Sequence, residues 1–360
     1  MAQELLEALQ DCEKRVNEYF HKPRFRERFK PDDLREAVFA YIDRPGKRLR
    51  PALLLWSCGA VGGDENLALP AAAGVELFHT WTLVHDDLID NDDTRRGGPS
   101  VHKMGEAFAA ESLGYDGIKA RDYGRDLAVL TGDAQHGWTV SLFCECIRFS
   151  ELNPEVVVDI IYDLESRVIH ELLEGETLDV QYEAASIDDL SDKDILHMLK
   201  MKTAALCEFA ARAGAMLGLN ISDQQHPSVA ALSRFAGLAG LAFQLQDDVL
   251  GVTAQEEKLG KPVGSDIREG KKTLVAYHAL QSASPEDRAF LLSVLGDPEA
   301  GSENIQKAVD IMVASGAVEK TNRLAQNYIQ TALSELDTIP DSDYKGLLAQ
   351  WAHFMIDRKF

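Results

Sequence analysis

The sequence predicts an all-α fold in one large domain. Aliphatic and Ala-rich stretches dominate the 360 residues, while alternating Val/Ile/Thr runs of the strand type are few. No Pro/Ser/Gly-rich linker, low-complexity block or short repeat interrupts the chain. Length alone, beyond the usual single-core size of about 250 to 300 residues, would favour two domains, but no composition shift marks a boundary. The third observation is that two long apolar stretches each run into a cluster of aspartates, the pattern of core helices with chemically loaded ends.

Along the chain, residues 1–42 read as one or two amphipathic helices broken near Pro23 and Pro31. Arg44-Pro45-Gly46-Lys47-Arg48-Leu49-Arg50-Pro51 then punctuates the sequence before an apolar helix, and a second apolar helix covers about 68–90. Residues 107–127 are polar and Gly-containing. They read as a surface insertion ahead of a helix starting near Leu130. Helices are expected at about 155–183, 192–218 and 227–251. Thr253 to Lys272 has the Gly, Pro and charge density of a functional loop, and apolar periodicity resumes from Leu274.

A net charge of −22, from 37 basic and 59 acidic residues, argues against nucleic acid as a partner, because phosphate neutralisation needs a basic face. Any anionic ligand must be held by local cations and metals against the global field. Five cysteines (Cys12, Cys58, Cys144, Cys146 and Cys207) lack the spacing of a structural zinc site and fit a reducing cytoplasm. The start, Met-Ala-Gln-Glu-Leu-Leu-Glu, has no signal-peptide pattern. Glu76, His79 and Arg234 interrupt the apolar stretches near 67–84 and 229–246, as expected of core helices and not of membrane spans.

The chemistry concentrates in His85-Asp86-Asp87-Leu88-Ile89-Asp90-Asn91-Asp92-Asp93-Thr94-Arg95-Arg96-Gly97 and in Phe243-Gln244-Leu245-Gln246-Asp247-Asp248. At about 3.6 residues per turn, Asp86, Asp90 and Asp93 fall on one helical face, and their repulsion calls for a cation. Mg²⁺ suits such a set, because it is held by one or two carboxylates together with substrate phosphates. A lone Asp-Asp-x-x-Asp is as often a solvated helix end. Here, however, Asp86 follows a run that should be buried, and Arg95 and Arg96 bring guanidinium forks within about two turns. The Gly46–Pro51 break offers Lys47, Arg48 and Arg50 to an anion, and His79 lies seven residues before Asp86 on roughly the same face. Lys202-Thr203 and the loop cations Lys258, Lys261, Arg268, Lys271 and Lys272, with Asp266 among them, could add phosphate contacts. No Ser/His/Asp or Cys/His arrangement suggests a side-chain nucleophile.

Taken together these motifs resemble the trans-isoprenyl diphosphate synthase (polyprenyl synthetase) family. The likeness runs over nearly the whole chain and rests on GKRLRP at 46–51, HDDLIDNDDTRRG at 85–97, His102 after Gly-Pro-Ser-Val, Gly132-Asp133, Lys202-Thr203, FQLQDD at 243–248 and GKPVGSDIREGKKT at 260–273. The resemblance implies about a dozen helices around a central cavity, a homodimer, and Mg²⁺, three ions per active site. It implies metal ligation by Asp86, Asp90 and Asp247, and catalytic parts for these residues and for Asp87, Asp248 and Lys202. Arg95, Lys202, Thr203, Gln244, Lys261 and Lys271 would hold an allylic diphosphate, and Lys47, Arg50, His79 and Arg96 isopentenyl diphosphate. One departure is plain: many members carry Asp-Asp-x-x-Asp in the second motif, and this chain has Gly251 at the last place.

Product length in such an enzyme is set beneath the first motif. Trp81 lies five residues before Asp86, roughly 7.5 Å deeper at ~1.5 Å per residue, with small Thr82 beside it and Phe78 about one turn below. A large aromatic there resembles short-chain members, which favours geranylgeranyl diphosphate, then farnesyl diphosphate. A longer-chain synthase, a non-catalytic subunit of a heteromeric synthase and a terpene cyclase are the alternatives. The second basic set, Lys47, Arg50 and Arg96, weighs against a cyclase, which needs only one diphosphate site.

Overall fold

The structure, a computed structural model, describes residues 2–253 and 265–357. They are almost entirely helical; among them the strands form a single two-stranded hairpin. In chain order the helices are α1 Ala2–Phe20, α2 Pro23–Arg26, α3 Asp32–Phe39, α4 Leu49–Ala60, α5 Glu65–Ile89, α6 Val101–Ser112, α7 Gly117–Glu145, α8 Pro154–Asp163, α9 Ile169–Ala184, α10 Asp192–Leu199, α11 Ala205–Leu219, α12 Pro227–Thr253, α13 Ser265–Glu269, α14 Leu274–Ser282, α15 Pro285–Val294, α16 Ser302–Ala314, α17 Ala317–Glu335 and α18 Asp343–Ile356. Two compact units emerge. The first comprises Met1–Asp163, Ala210–Val229 and Pro340–Leu348; the second comprises Leu164–Phe209, Ala230–Ile339 and Ala349–Phe360.

In the first unit, α5 is the central element. Asp64 caps it by accepting from the Asn66 N–H, and Ala71, Ala72, Ala73, Val75, Leu77 and Phe78 are all buried, as an all-round apolar helix requires. The helix ends at Ile89. Asp90 caps it, and Asn91, with φ of 56°, turns the chain out. Asp93 therefore leaves the helical face expected to carry Asp86, Asp90 and Asp93 together. It is exposed and pairs with Lys103 at 3.3 Å. Strands β1 Thr94–Arg95 and β2 Gly98–Pro99 follow, joined by Arg96 and Gly97. Both loop residues have positive φ (51° and 75°), the backbone of a tight hairpin whose twist matches its strands.

A core of Ala37, Tyr41, Val84, Val101, Leu127 and Ala128 joins α3, α5, α6 and α7. The helix expected near Leu130 begins at Gly117, so residues 107–127 are the end of α6, a short turn and the start of α7. This segment is polar because one side faces solvent. Its other side buries Ala109, Ala120, Gly124 and Leu127. In the second unit, Val249, Val252, Ile267, Val275, Ala279 and Leu291 form the core between α12 and the helices after it. Two of the long helices read from sequence contain π-helical turns, Leu164–Val168 before α9 and Lys200–Ala204 before α11.

Both α5 and α12 are long and apolar enough to cross a membrane by composition, but 72% and 61% of their apolar windows are buried, as core helices are.

Glycines on α7 separate packing from propensity. A Cβ at Gly124 would run into the carbonyl oxygen of His102 on α6, whereas one at Gly137, exposed on the same helix, meets nothing within 4 Å. Gly124→Ala should therefore cost about 2 kcal/mol through overpacking, and Gly137→Ala should add about 1 kcal/mol through helix propensity. Thermal denaturation of the two variants checks the sign; shifts in the same direction would contradict the packing described.

Candidate active site

In the first unit, Arg95, Arg48 and Arg96 gather around two buried carboxylates. Asp87 is fully buried on α5, where it accepts from Arg95 Nε at 2.6 Å and from the hydroxyl of Tyr41. Desolvation raises the Asp87 carboxyl, and Arg95 and Tyr41 oppose that rise. Arg95 also reaches Asp86 and Asp92, each at 3.1 Å, and the neighbouring carboxylates raise its pKa despite burial. Asp86 and Asp90 stay partly exposed, with carboxylate oxygens within 4.8 Å of each other. Two hard oxygen donors at that separation, partly open to solvent, fit Mg²⁺ with a partial water shell.

Arg96 follows Arg95 in sequence but reaches a different carboxylate. Its Nη1 donates to Tyr41 O at 2.7 Å, and its Nη2 lies 3.1 Å from Glu76 Oε1. Glu76 is 2% exposed, and although burial pushes its carboxyl up, Arg48 and then Arg96 bring it below the usual range. Arg48 is correspondingly buried. It adopts a left-handed φ of 46° and binds Glu76 at 2.6 Å, Ile42 O at 2.7 Å and Asn17 Oδ1 at 3.0 Å. Of the three cations at the Gly46–Pro51 break, Arg48 thus serves the interior and is not presented to an external anion. Arg50 keeps a buried Nε with no hydrogen-bond partner. His79, one turn along α5 from Glu76, retains some solvent access, but desolvation lowers its pKa well below 6.5, with further lowering from Arg50, Arg96, Arg95 and Arg48. It is a neutral imidazole beside guanidinium groups, able to donate one N–H to an anion without adding charge.

Below the first motif, Trp81 is 6% exposed and packs against Phe78 (4.8 Å between ring centres), His85 (5.5 Å) and His136 (5.4 Å). The hydroxyl of Thr82 donates to the His79 carbonyl at 2.8 Å.

The second unit holds its own set. The π-helical turn Lys200–Ala204 carries Lys202 and Thr203, and such turns re-aim side chains that a regular helix would stack. Gly175 on α9 permits the turn's close approach, because a Cβ there would collide with the Lys202 backbone. Lys202 Nζ lies 2.6 Å from Asp179 and 3.0 Å from Glu176. Thr203 Oγ1 donates to Gln244 Oε1 at 3.0 Å, and Gln244 Nε2 donates to Asp248 Oδ1 at 3.2 Å. Asp248 is 5% exposed and its pKa is raised well above normal, first by desolvation and then by Asp266. Asp247, beside it, is partly exposed. Lys271 pairs with Glu269 at 3.3 Å. Lys258 and Lys261 lie outside the described residues.

Sequence reasoning did not assign Tyr41, Glu76, Glu176 or Asp179 to the site. Glu76 offered a signal, a lone carboxylate in an apolar helix, which is costly unless paired. The others lie in unremarkable surroundings, and only folding gives them partners.

The description polyprenyl synthetase matches residues 31–312. Among curated relatives, a short chain isoprenyl diphosphate synthase of Methanothermobacter thermautotrophicus is 37% identical over 332 residues, covering 91% of each chain. A geranylgeranyl diphosphate synthase of Methanosarcina mazei is 36% identical, covering 92% of this chain and 91% of that one. Among solved structures, geranylgeranyl pyrophosphate synthetase from Pyrococcus horikoshii aligns with a TM-score of 0.84 at 32% identity over 99% of both chains. The Corynebacterium glutamicum geranylgeranyl pyrophosphate synthase complexed with isoprenyl diphosphate and magnesium aligns at 0.83, with 27% identity and 99% coverage of both chains.

The state of His79 sets a pH dependence. A histidine whose folded pKa is depressed stabilises the fold fully above its unfolded value near 6.5 and loses that contribution as pH falls toward the folded value. One pH unit below 6.5, His79 accounts for about 1 kcal/mol of lost stability. Moving from about pH 7.5 to about pH 5.5 should lower the Tm of His79→Gln less than that of the unaltered protein. Identical pH profiles would show that His79 is not held neutral.

Proposed function

Because the chain belongs to the polyprenyl synthetase family, we propose that it condenses isopentenyl diphosphate with allylic diphosphates, with Mg²⁺, to give geranylgeranyl diphosphate. The observation that carries this reading is the division of two adjacent arginines, Arg95 against the Asp86–Asp87 carboxylates and Arg96 against Glu76. One hairpin thereby supplies two anion sites of different character. Arg95 stands among carboxylates suited to a metal-bound diphosphate. Arg96 stands near Arg50 and His79, and with Lys47 of the Gly46–Pro51 break these residues would grip a second diphosphate without an acidic ligand set.

Asp86 and Asp90, and in the second unit Asp247, would hold Mg²⁺, which when bound draws charge onto the leaving diphosphate. Lys202, Thr203, Gln244, Lys271 and Lys261 would orient that diphosphate, and the buried Asp87 and Asp248 would fix the groups that touch it. As the allylic C–O bond breaks, the isopentenyl double bond attacks the allylic carbon, and loss of a proton from the adduct regenerates a double bond. The departing diphosphate serves as base. Catalysis is therefore positioning and electrostatic stabilisation in a water-poor site, in agreement with the missing nucleophile. Trp81, backed by Phe78 and His136, would close the apolar space and stop elongation. The names of the archaeal relatives support the C20 product. We further propose that the whole chain works as one synthase domain, as a cytoplasmic homodimer.

The test is product length. Purified chain with Mg²⁺, labelled isopentenyl diphosphate and dimethylallyl, geranyl or farnesyl diphosphate should give a dominant C20 product. Trp81→Ala should shift products to C25 and beyond, and Asp86→Asn should lower kcat by about a hundredfold or more. C15 would place the floor above Trp81, unchanged products from Trp81→Ala would remove Trp81 from that role, and no condensation with any primer would refute the enzyme reading.

A further inference from the structure

The hairpin that carries Arg95 and Arg96 is too short to hold its own shape. Each strand has two residues, paired Thr94 with Pro99 and Arg95 with Gly98, and Pro99 has no N–H to donate. An isolated two-stranded ribbon is only marginally stable in water, so this one needs an outside hold. The Ser100 N–H, donating to the Asp93 carbonyl at 2.9 Å, closes only its base.

A further hold is Arg44, a partly buried residue just ahead of the Gly46–Pro51 break. Its Nη1 donates to the carbonyl of Arg95 on one strand and to the carbonyl of Pro99 on the other, each at 2.8 Å. Its Nη2 lies 3.5 Å from the sulfur of Met104 on α6, and its guanidinium carbon lies 5.4 Å from the centre of the Tyr41 ring. One planar group thus ties both strands to the Tyr41 segment and to α6, through charged donors that bond carbonyls more strongly than neutral ones do.

Gly98 carries a second, independent sign of this clamp. Gly97 has a positive φ of 75°, but Gly98 does not, so its backbone would accept an ordinary side chain. What that side chain would meet is Arg44: a Cβ at Gly98 would lie 2.6 Å from its Cζ and 2.8 Å from Nε and from Nη2. The end of an arginine is flexible, so the clash would displace the guanidinium and spare the backbone.

We propose that Arg44 is a positioning residue for prenyl transfer, clamping the hairpin so that Arg95 faces Asp86 and Asp87 while Arg96 faces Glu76, and that residue 98 is glycine because the clamp needs its room. The role rests on the prenyl-transfer reading above, in which the two arginines hold different diphosphates. Arg44 bonds the backbone of the strands, so it acts through the arginines that the hairpin carries.

The test is the pair of Michaelis constants, for the allylic diphosphate and for isopentenyl diphosphate, measured on the full chain with Mg²⁺. Arg44→Met keeps much of the stem that packs on Tyr41 but removes every donor, and it should raise both constants by about fivefold or more while kcat changes by less than about threefold. Loss of folded protein alone would lower kcat and leave both constants in place. Gly98→Ala should give the same pattern by displacing the guanidinium. Adding Gly98→Ala to Arg44→Ala should change neither constant by more than about twofold, because no guanidinium is left to displace. Should Arg44→Ala fold poorly, matching shifts in Arg44→Met and Gly98→Ala still support the clamp, and unshifted constants in either one still overturn it. Constants within about twofold of the unaltered protein in Arg44→Met, or single effects that multiply in the combined variant, overturn the clamp and leave prenyl transfer standing. An unaltered chain that makes no product with any primer overturns both.

Discussion

Buried charge is the constraint on which the rest of this architecture depends. A protein that handles diphosphates at a net charge of −22 needs local cations, yet an isolated buried guanidinium is costly in a low-dielectric interior. The first unit resolves this with two buried carboxylates. Asp87 organises Arg95, and Glu76 organises Arg48 and Arg96. Tyr41 links the two sets, donating its hydroxyl to Asp87, accepting from the Val101 N–H and offering its carbonyl to Arg96. The cations are thus fixed before a substrate arrives, so little reorganisation is left for the reacting state.

The second unit uses a side-chain hydrogen-bond run and ion pairs for the same end. The run Thr203 to Gln244 to Asp248 and the ion pairs of Lys202 with Asp179 and Glu176 fix polar groups on α9, α12 and the π-helical turn. An unbroken α-helix through 200–204 would aim Lys202 and Thr203 differently. Gly175 is the residue whose missing side chain lets that turn approach α9.

How much of this was legible in the sequence depended on range. The all-α class, the ends of α5 and α12 and the two acidic motifs were readable because apolar periodicity and clustered aspartates are local signals. The helical placement of Asp93 failed because Asn91 leaves the helix, a turn that periodicity does not register. The helix start near Leu130 was late because the polar beginning of α7 faces solvent on one side and hides its buried Ala120 and Gly124. Arg48 looked like a third anion-binding cation, since nothing nearby in sequence names Glu76 as its partner. The absence of a carboxylate at Gly251 was visible, but the approach of the Asp266 side chain to that position was not, because it follows from the packing of Ile267 with Val249 and Val252.

The most direct measurement of the central claim, that adjacent arginines are sorted to different diphosphates by separate buried carboxylates, is the pair of Michaelis constants for Arg95→Gln and Arg96→Gln. The account predicts that Arg95→Gln raises KM for the allylic diphosphate by about tenfold or more while leaving that for isopentenyl diphosphate within about threefold, and that Arg96→Gln does the reverse. If both variants raised the same constant by similar factors, the two arginines would serve one anion and the division described here would be wrong.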